Sequence, residues 1–226
     1  MDSKSIKNIL YELGADICGI ASVDRFTQAP EGFRPTDTFP SCKSVIIFGK
    51  RFLKGTMDCK NTVSYTVVRN MISNVLDIMS VKFCDLMEKE NIGTVPIGAI
   101  GPSIIDQKAM RSRGIVSLKH AAVLAGLGYI GKNTLLITPD YGNMVWLTGV
   151  MTDMELESDS IIHDKCPDDC NLCITNCPVE ALKKDNPEMD QGKCWNYAFD
   201  KNFYFTNIKC YNCRAVCPKR YGEKNR

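Results

Sequence analysis

Eight of the twelve cysteines in this 226-residue chain lie in its last 61 residues. They form two runs, Cys166-x3-Cys170-x2-Cys173-x3-Cys177-Pro178 and Cys210-x2-Cys213-x3-Cys217-Pro218, with Cys194 between them. A thiolate is a soft donor that suits iron in a sulfide cluster, and a [4Fe-4S] cubane takes four thiolates. The cysteines therefore predict two [4Fe-4S] clusters and a role in electron transfer.

Each run ends in Cys-Pro after a three-residue gap, as in bacterial two-cluster ferredoxins, where the cysteine before the proline ligates the other cluster. This pattern assigns Cys166, Cys170, Cys173 and Cys217 to one cluster and Cys177, Cys194, Cys210 and Cys213 to the other. Cys194 lies 16 positions before Cys210, so the assignment requires residues 195–209 to form a looped insertion. Aromatic side chains in this insertion could shield a cluster from water.

Two other uses of cysteine fit less well. Structural zinc usually takes two clean cysteine pairs around one tetrahedral site, without two Cys-Pro endings. A disulfide framework needs an oxidising compartment, and the chain opens MDSKSIKNIL, without an apolar signal region. The remaining cysteines (Cys18, Cys42, Cys59 and Cys84) are scattered, and we expect buried thiols there.

The composition, with 44% hydrophobic residues, allows a sizeable core and one domain followed by a smaller one. A net charge of +2 is too small to indicate nucleic-acid binding. The chain contains no run of about 18 apolar residues. We therefore expect a soluble, cytoplasmic protein without a membrane or nucleic-acid partner.

Hydrophobic periodicity predicts an α/β domain over residues 1–155 and a cluster domain over residues 156–226. Helical spacing indicates helices at 6–13, 62–90 and 116–125, the first ended by Gly14. Short apolar runs predict strands at 17–21, 44–49, 94–100, 134–138 and 144–151, with 44–49 as a central strand. The acidic segment 153–164 is interpreted as the linker between the domains.

A glycine-rich loop follows the third predicted helix, with the sequence GLGYIGKN over residues 126–133. Its glycines match a dinucleotide-binding fingerprint, which follows a strand and begins a helix. Here the loop follows a predicted helix and precedes a predicted strand, so the order of the elements is reversed. It also resembles a P-loop, except that Asn133 stands where Ser or Thr would contact magnesium. The remaining interpretation is a backbone that closely approaches either a large planar cofactor or the neighbouring strand.

The segments FPSCKSVIIF (39–48), AGLGYIGKNTLLITPDYG (125–142) and LTGVMTD (147–153), with the two cysteine runs, resemble the epoxyqueuosine reductases. Related reductive dehalogenases share the plan, in which a nitroreductase-like α/β core holds a corrinoid beside a small ferredoxin-like domain with two [4Fe-4S] clusters. The resemblance implies cobalamin as a cofactor, with FMN as the less favoured alternative. It also implies a cofactor-binding role for Gly126, Gly128, Tyr129, Ile130, Gly131, Lys132 and Asn133.

The chain departs from this family at two places. The acidic residue that donates a proton in the family should fall near Ser112, and the nearest acid is Asp106. The sequence also ends at Arg226, where the tRNA-modifying enzymes continue into helical repeats. We therefore do not expect a tRNA base as the substrate.

These observations predict an oxygen-sensitive iron-sulfur oxidoreductase that passes low-potential electrons to a corrinoid or to a bound substrate. The expected partners are an electron donor of the ferredoxin or flavodoxin type and a small-molecule or corrinoid acceptor. The alternatives are a non-catalytic electron carrier or corrinoid reductase that serves a partner enzyme, and a tetrapyrrole-binding module.

Overall fold

The computed structural model describes residues 1–100, 104–108, 111–184, 188–200 and 207–225. The helices in these ranges are α1 (Ser3–Glu12), α2 (Pro35–Thr38), α3 (Val63–Lys89), α4 (Leu118–Leu124), α5 (Leu172–Thr175), α6 (Gln191–Ala198) and α7 (Asn212–Ala215). The strands are β1 (Ile17–Ser22), β2 (Ser44–Arg51), β3 (Thr94–Ile97), β4 (Ile104–Asp106), β5 (Arg111–Arg113), β6 (Tyr129–Ile130), β7 (Leu136–Ile137), β8 (Val145–Thr152), β9 (Phe199–Asp200) and β10 (Asn207–Ile208). None of the helices in these ranges is both long enough and apolar enough to cross a membrane.

A four-stranded antiparallel sheet with the order β1-β2-β8-β3 forms the centre of the molecule. Ser44 at the start of β2 pairs with Thr152 at the end of β8, and Thr94 of β3 pairs with the same residue on its other side. β2 is a central strand, as predicted. The predicted α/β class is confirmed as a mixed α/β fold, in which the strands of the main sheet run antiparallel.

Helices cover both faces of this sheet, which explains why β2 is apolar at successive positions. Ile46 and Phe48 pack with α1 and α3 on one face. Val45 and Ile47 pack with α4 on the other face. Successive side chains of a strand point to opposite faces, so a strand covered on both sides shows a continuous apolar run.

α1 and α3 confirm the first two predicted helices. Asp2 caps α1 by accepting a hydrogen bond from the backbone N–H of Ser5 (2.8 Å). Gly14 follows the helix with a φ of 107°, which a residue with a side chain rarely adopts. α3 is 27 residues long, and its buried side contributes Leu76 and Phe83 to the core.

The segment that carries the cysteine runs is built from short helices, of which α5 and α7 contact each other. The prediction that residues 195–209 form a looped insertion is wrong in part. Residues 195–198 continue α6, and the following β9 pairs with β10 as an antiparallel hairpin. The aromatic residues Phe203, Tyr204 and Phe205 of this segment lie outside the described residues.

The acidic segment 153–164 is attached to the main sheet. Asp159 accepts a hydrogen bond from the backbone N–H of Ile20 (2.8 Å) and forms an ion pair with Lys7. The guanidinium of Arg25 donates to the backbone oxygen of Asp159 (2.7 Å). The chain is thus fixed to the edge strand β1 immediately before the first cysteine run. The domain division at residue 155 stays a prediction.

Three of the four scattered cysteines, Cys18, Cys42 and Cys84, are buried as predicted. Cys59 is exposed, so the prediction of a buried thiol is wrong at this position. Cys59 directly follows a short 3-10 helix (Lys54–Asp58) in which only Thr56 is buried, so this part of the chain lies at the surface.

Candidate metal centre and adjoining cavity

Cysteines from both runs meet around one recess of about 250 Å³ that opens to solvent. Its lining residues are Lys132, Asn133, Cys166, Cys170, Cys173, Cys217 and Pro218. Three of these cysteines come from the first run, and Cys217 comes from the end of the second. We call this set the first cysteine group. The packing of α5 on α7 brings the two runs together here.

The other four cysteines form a second cysteine group, consisting of Cys177, Cys194, Cys210 and Cys213. Cys194 is close enough to Cys177 and Cys210 for their charges to interact. Cys213 has the same relationship to Cys194 and Cys210. The cysteine before proline in each run therefore lies in the group that contains cysteines of the other run, and for Cys177 that group also contains Cys194. The structure brings together the same two sets that the spacing predicts, and their ligation of clusters stays a prediction.

Three of these thiols are held in the neutral form. Burial, with a smaller contribution from neighbouring cysteines, raises the pKa of Cys173, Cys194 and Cys213, in each case to about 11. Such thiols are neutral at pH 7 when no positive charge is near. Iron supplies that charge, since metal binding to cysteine releases the thiol proton.

Hydrogen bonds to sulfur are present in both groups. The backbone N–H of Lys132 donates to the Sγ of Cys166 (3.4 Å), and the N–H of Ala181 donates to the Sγ of Cys177 (3.2 Å). The side chain of Asn143 lies beside Cys217 and lowers its pKa, against the larger effect of burial, which raises it. Hydrogen bonds to ligand sulfurs stabilise the reduced state of an iron-sulfur cluster and so adjust its potential.

The described residues contain no group of three or more His, Cys, Asp or Glu side chains placed to hold a single metal ion. A cubane distributes its four thiolates over four irons, so they stand further apart than the ligands of one ion. Four thiol donors around an open recess, with an N–H directed at one sulfur, fit a cubane in their chemistry.

The glycine-rich loop lies against the first cysteine group at its C-terminal end. The ammonium of Lys132 donates to the backbone oxygens of Pro167, Asp168 and Cys170 at 3.0, 3.0 and 2.9 Å. Asn133 is buried, and its Nδ2 donates to the backbone oxygen of Cys213 (3.2 Å). These two residues therefore connect the loop to both cysteine runs.

The first two glycines of the loop are required by the chain's own backbone. A Cβ on Gly126 would lie 2.4 Å from the backbone oxygen of Ser160, in the attached acidic segment. A Cβ on Gly128 would lie 2.1 Å from the backbone oxygen of Ile137 in β7. The sequence left open whether this backbone closely approaches a planar cofactor or the neighbouring strand. At Gly128 it closely approaches the strand. The predicted role of the loop in cofactor binding stays a prediction.

Tyr129 lies in β6, and its hydroxyl is buried without a hydrogen-bond partner among the described residues. Burial raises its pKa to about 12, and the nearby Cys166 and Cys217 contribute in the same direction. A buried hydroxyl without a partner is costly, and this one lies beside the first cysteine group.

A second cavity of about 540 Å³, which includes space open to solvent, adjoins both cysteine groups. It is lined by Ala99, Leu118, Lys119, Leu135, Leu136, Asn143, Val145, Trp146, Leu147 and Arg214. Asn143 lies beside Cys217 of the first group, and Arg214 directly follows Cys213 of the second. No residue of the range 126–133 is in this lining, although Leu135 and Leu136 come shortly after it.

The polar atoms of this cavity are partly satisfied. The guanidinium of Arg214 donates to the backbone oxygen of Asn143, and the ammonium of Lys119 donates to that of Thr134. Burial lowers the pKa of Lys119. The Oδ1 of Asn143 and the Nε1 of Trp146 are buried without a partner among the described residues. An apolar cavity with a few unpaired polar atoms is typical of small-molecule and cofactor sites.

The position of the expected proton-donating acid holds no carboxylate. Ser112 lies in β5, and its backbone N–H donates to Oε1 of Gln191 in α6 (2.8 Å). Asp106 lies in β4, is exposed, and accepts a hydrogen bond from the backbone N–H of Lys108 (3.0 Å). The short β4–β5 hairpin is thus attached to the helix that carries Cys194.

The fold is similar to that of solved redox enzymes. The epoxyqueuosine reductase of Streptococcus thermophilus matches with a TM-score of 0.68 and 20% identity, over 100% of this chain and 68% of that chain. A catabolic reductive dehalogenase matches with a TM-score of 0.73 and 17% identity, over 97% of this chain and 32% of that chain. The described fold therefore occurs in both groups of enzymes.

Curated sequences give the same result, although no protein-family model matches the chain. Epoxyqueuosine reductase of Listeria monocytogenes is 34% identical over 129 residues, which cover 53% of this chain and 34% of the relative. That of Staphylococcus aureus is 29% identical over 128 residues, 52% of this chain and 33% of the relative. The chain thus matches about a third of the length of these relatives.

A longer match includes both cysteine runs. Epoxyqueuosine reductase of Leadbetterella byssophila is 27% identical over 253 aligned positions, which cover 96% of this chain and 79% of the relative. The resemblance predicted from the loop and the cysteine runs is confirmed by these matches. The chain is therefore a homologue of the epoxyqueuosine reductases.

Proposed function

We propose that the protein is an iron-sulfur oxidoreductase that passes low-potential electrons from two [4Fe-4S] clusters to a corrinoid or to a substrate in the second cavity. The observation that carries this proposal is that residues of one cavity lining lie beside both cysteine groups: Lys119 and Arg214 beside Cys213, and Asn143 beside Cys217. Electron transfer requires a short distance between donor and acceptor, and this neighbourhood supports the proposal.

Each cysteine group ligates one cluster. The first group comprises Cys166, Cys170, Cys173 and Cys217, and the second comprises Cys177, Cys194, Cys210 and Cys213. The grouping of the side chains supports this assignment, because each set contains one cysteine from the opposite run. The first group opens to solvent and receives electrons from a donor of the ferredoxin or flavodoxin type. The second group, through Cys213, faces Lys119 and Arg214 at the cavity.

The cavity suits a corrinoid in its chemistry. A bound corrinoid supplies a cobalt that, in its lowest oxidation state, is a strong nucleophile or reductant. The cavity is smaller than a whole corrinoid and would hold one edge of it: the leucine side chains and Trp146 would exclude water there, and Oδ1 of Asn143 and Nε1 of Trp146 would be free to form hydrogen bonds with it. FMN is the second candidate for this cavity, since Lys119 and Arg214 are cations that could neutralise a phosphate.

Lys119 supplies the proton in this proposal. Ser112 cannot donate as a carboxylic acid, and Lys119 is an ionisable residue of the cavity lining whose pKa is lowered by burial. A lowered pKa makes the ammonium a stronger acid near neutral pH. Because the acid expected in the epoxyqueuosine reductases is replaced by Ser112, a small molecule or a corrinoid is the proposed acceptor, and a tRNA base is not.

The test is anaerobic purification with iron, sulfide, cobalt and zinc analysis, followed by absorption titration with cobalamin and with FMN. We expect about eight irons per chain and saturable cobalamin binding. Leu118→Trp, which fills the cavity, should abolish that binding, and Leu53→Trp, at an exposed position outside it, should not. Stoichiometric zinc instead of iron would overturn the proposal.

An electron carrier or corrinoid reductase for a partner enzyme is the second candidate function. The serine at position 112 favours it, because an electron carrier needs no proton donor. Eight irons without binding of either cofactor would select this alternative. Conversion of an epoxyqueuosine-containing RNA stem loop to queuosine would contradict the proposed exclusion of tRNA.

A further inference from the structure

Helix α3 exposes a continuous apolar stripe to solvent. The stripe consists of Val63, Val67, Met71, Val75, Ile78, Val81 and Leu86. Met71 is 63% exposed and Ile78 is 55% exposed, which is high for large apolar side chains in a long helix. The steps between these residues are three or four positions, except for the last, from Val81 to Leu86, which is five, and they place the side chains on one side of the helix, opposite the side that packs on the sheet.

Charge is absent from most of this surface. Between Val63 and Val81, the other exposed residues of the helix are Asn70 and Asn74, neither of which is charged. Exposed charges begin at Lys82 and continue in the last two turns of α3. Exposed apolar patches of this kind mark interaction surfaces, since a solvated helix normally carries charges on its outer face.

The spacing of the stripe is self-complementary. A twofold axis that crosses α3 beside Val75 places Met71 of one copy opposite Ile78 of the other. The same rotation places Val67 opposite Val81 and Val63 opposite Leu86, to within one residue. An isologous contact requires this symmetry of a surface, whereas a contact with an unrelated partner does not.

The stripe also has the dimensions of a dimer contact. From Val63 to Leu86 the helix extends for about 35 Å. Two such helices packed antiparallel bury on the order of several hundred Å² on each copy, a large part of the ~800 Å² per partner of a standard interface. The exposed charges Lys82 and Asp85 lie between Val81 and Leu86, so in the antiparallel arrangement they fall at the two ends of the contact.

We infer that the protein forms a homodimer in which the two α3 helices pack antiparallel through this apolar stripe, about a twofold axis near Val75. The occupant of the surface is a second copy of the same chain. The interface lies on the face of α3 that is turned away from the sheet, so it leaves both cysteine groups and the cavity to each copy. This inference is independent of the proposed function.

The test uses complementary charges. Met71→Lys and Ile78→Glu each introduce a charge on the stripe, and each variant alone should weaken the dimer by about a hundredfold or more in its dissociation constant. An equimolar mixture of the two should form a heterodimer, because only the antiparallel register places the new lysine opposite the new glutamate. Anaerobic size-exclusion chromatography with light scattering measures the mass of each sample.

Tyr11→Lys is the matched control, because Tyr11 is a large exposed side chain on a different helix, α1. It should retain the dimer mass of the parent chain. Circular dichroism and iron content should be the same in all variants, which separates loss of the dimer from loss of the fold. A monomeric parent chain, dimers that persist in both single variants, or a mixture that stays monomeric would each overturn the inference.

Discussion

The backbone N–H of Lys132 donates to the Sγ of Cys166 across 3.4 Å. This contact joins the end of the glycine-rich loop to the first cysteine of the first run. The ammonium of the same residue binds three backbone oxygens of the segment that follows Cys166. The loop therefore supports the first cysteine group directly, which leads to a prediction about its stability.

Lys132→Met should make the cluster of the first group more sensitive to oxygen. The change removes three hydrogen bonds that hold residues 167–170, each worth about 1 kcal/mol, and keeps the backbone N–H. We expect cluster absorbance to decay several times faster in air. Lys165→Met is the control, because the Lys165–Asp168 pair has side chains that are 78% and 86% exposed and so contributes little. Equal decay rates in the two variants would contradict the prediction.

Replacement of the cysteine before each proline should damage the opposite cluster. Cys217→Ala should alter the cluster held mainly by the first run, and Cys177→Ala the one completed by Cys210 and Cys213. Electron paramagnetic resonance of the reduced protein distinguishes the two signals, and iron analysis measures the loss. Cys59→Ala should keep all the iron, since Cys59 lies outside both groups. Loss confined to the cluster of the mutated run would refute the crossed assignment.

Gly128→Ala should destabilise the fold. The new Cβ would lie 2.1 Å from the backbone oxygen of Ile137, so β6 and β7 would have to separate. We expect a loss of about 2–4 kcal/mol in the free energy of unfolding. Gly55→Ala is the control, because its Cβ meets nothing within 4 Å. Urea denaturation of the metal-free protein measures both, and a similar effect of the two substitutions would count against the geometry.

Cys18 should make the protein less stable at alkaline pH. Burial raises its pKa from 9.0 to about 12. Between pH 9 and pH 12 the unfolded chain loses the thiol proton, whereas the folded chain keeps it. The contribution of the protonated thiol to the free energy of unfolding is therefore fully present below pH 9 and falls as the pH rises towards 12. The slope should be about 1.4 kcal/mol per pH unit.

Urea denaturation of the parent and of Cys18→Val at several pH values measures this slope. The variant should show a shallower decline above the ordinary pKa of a thiol, because valine has no proton to lose. Comparison at pH 7, where the thiol is protonated in both states, gives the effect of the substitution on packing alone. Parallel declines in the two proteins would show that Cys18 is not the titrating group.

The elements that sequence predicts well here are those with a strong local pattern. α3 shows an apolar period over 27 residues, and β2 is a continuous apolar run, so their type and position follow from the sequence. The β4–β5 hairpin is missed because its strands are three residues long and one reads Arg-Ser-Arg. α6 is extended beyond Cys194 by aromatic residues, which carry no clear helical signal.

Only part of the candidate site can be predicted from the sequence. Cysteine spacing indicates both groups, since repeated intervals between chemically rare residues are specific. Asn143 and Arg214 are missed, because one polar residue at a buried position has no periodic neighbours and is recognised only by its contacts. The cavity is also formed by side chains from distant parts of the chain, such as Ala99 and Arg214, which no local motif relates.

The segment that carries the cysteines is fastened at both of its ends. Asp159 fixes its start to β1, and at its end a Cβ on Gly222 would lie 2.2 Å from the backbone oxygen of Pro139, so this turn of backbone is seated on the main domain. A chain tethered twice has already lost most of its loop-closure entropy before any iron binds. If the eight thiols ligate two clusters as proposed, they are held at a high effective concentration, and cluster assembly is a local event on a folded scaffold rather than a folding reaction of the whole protein.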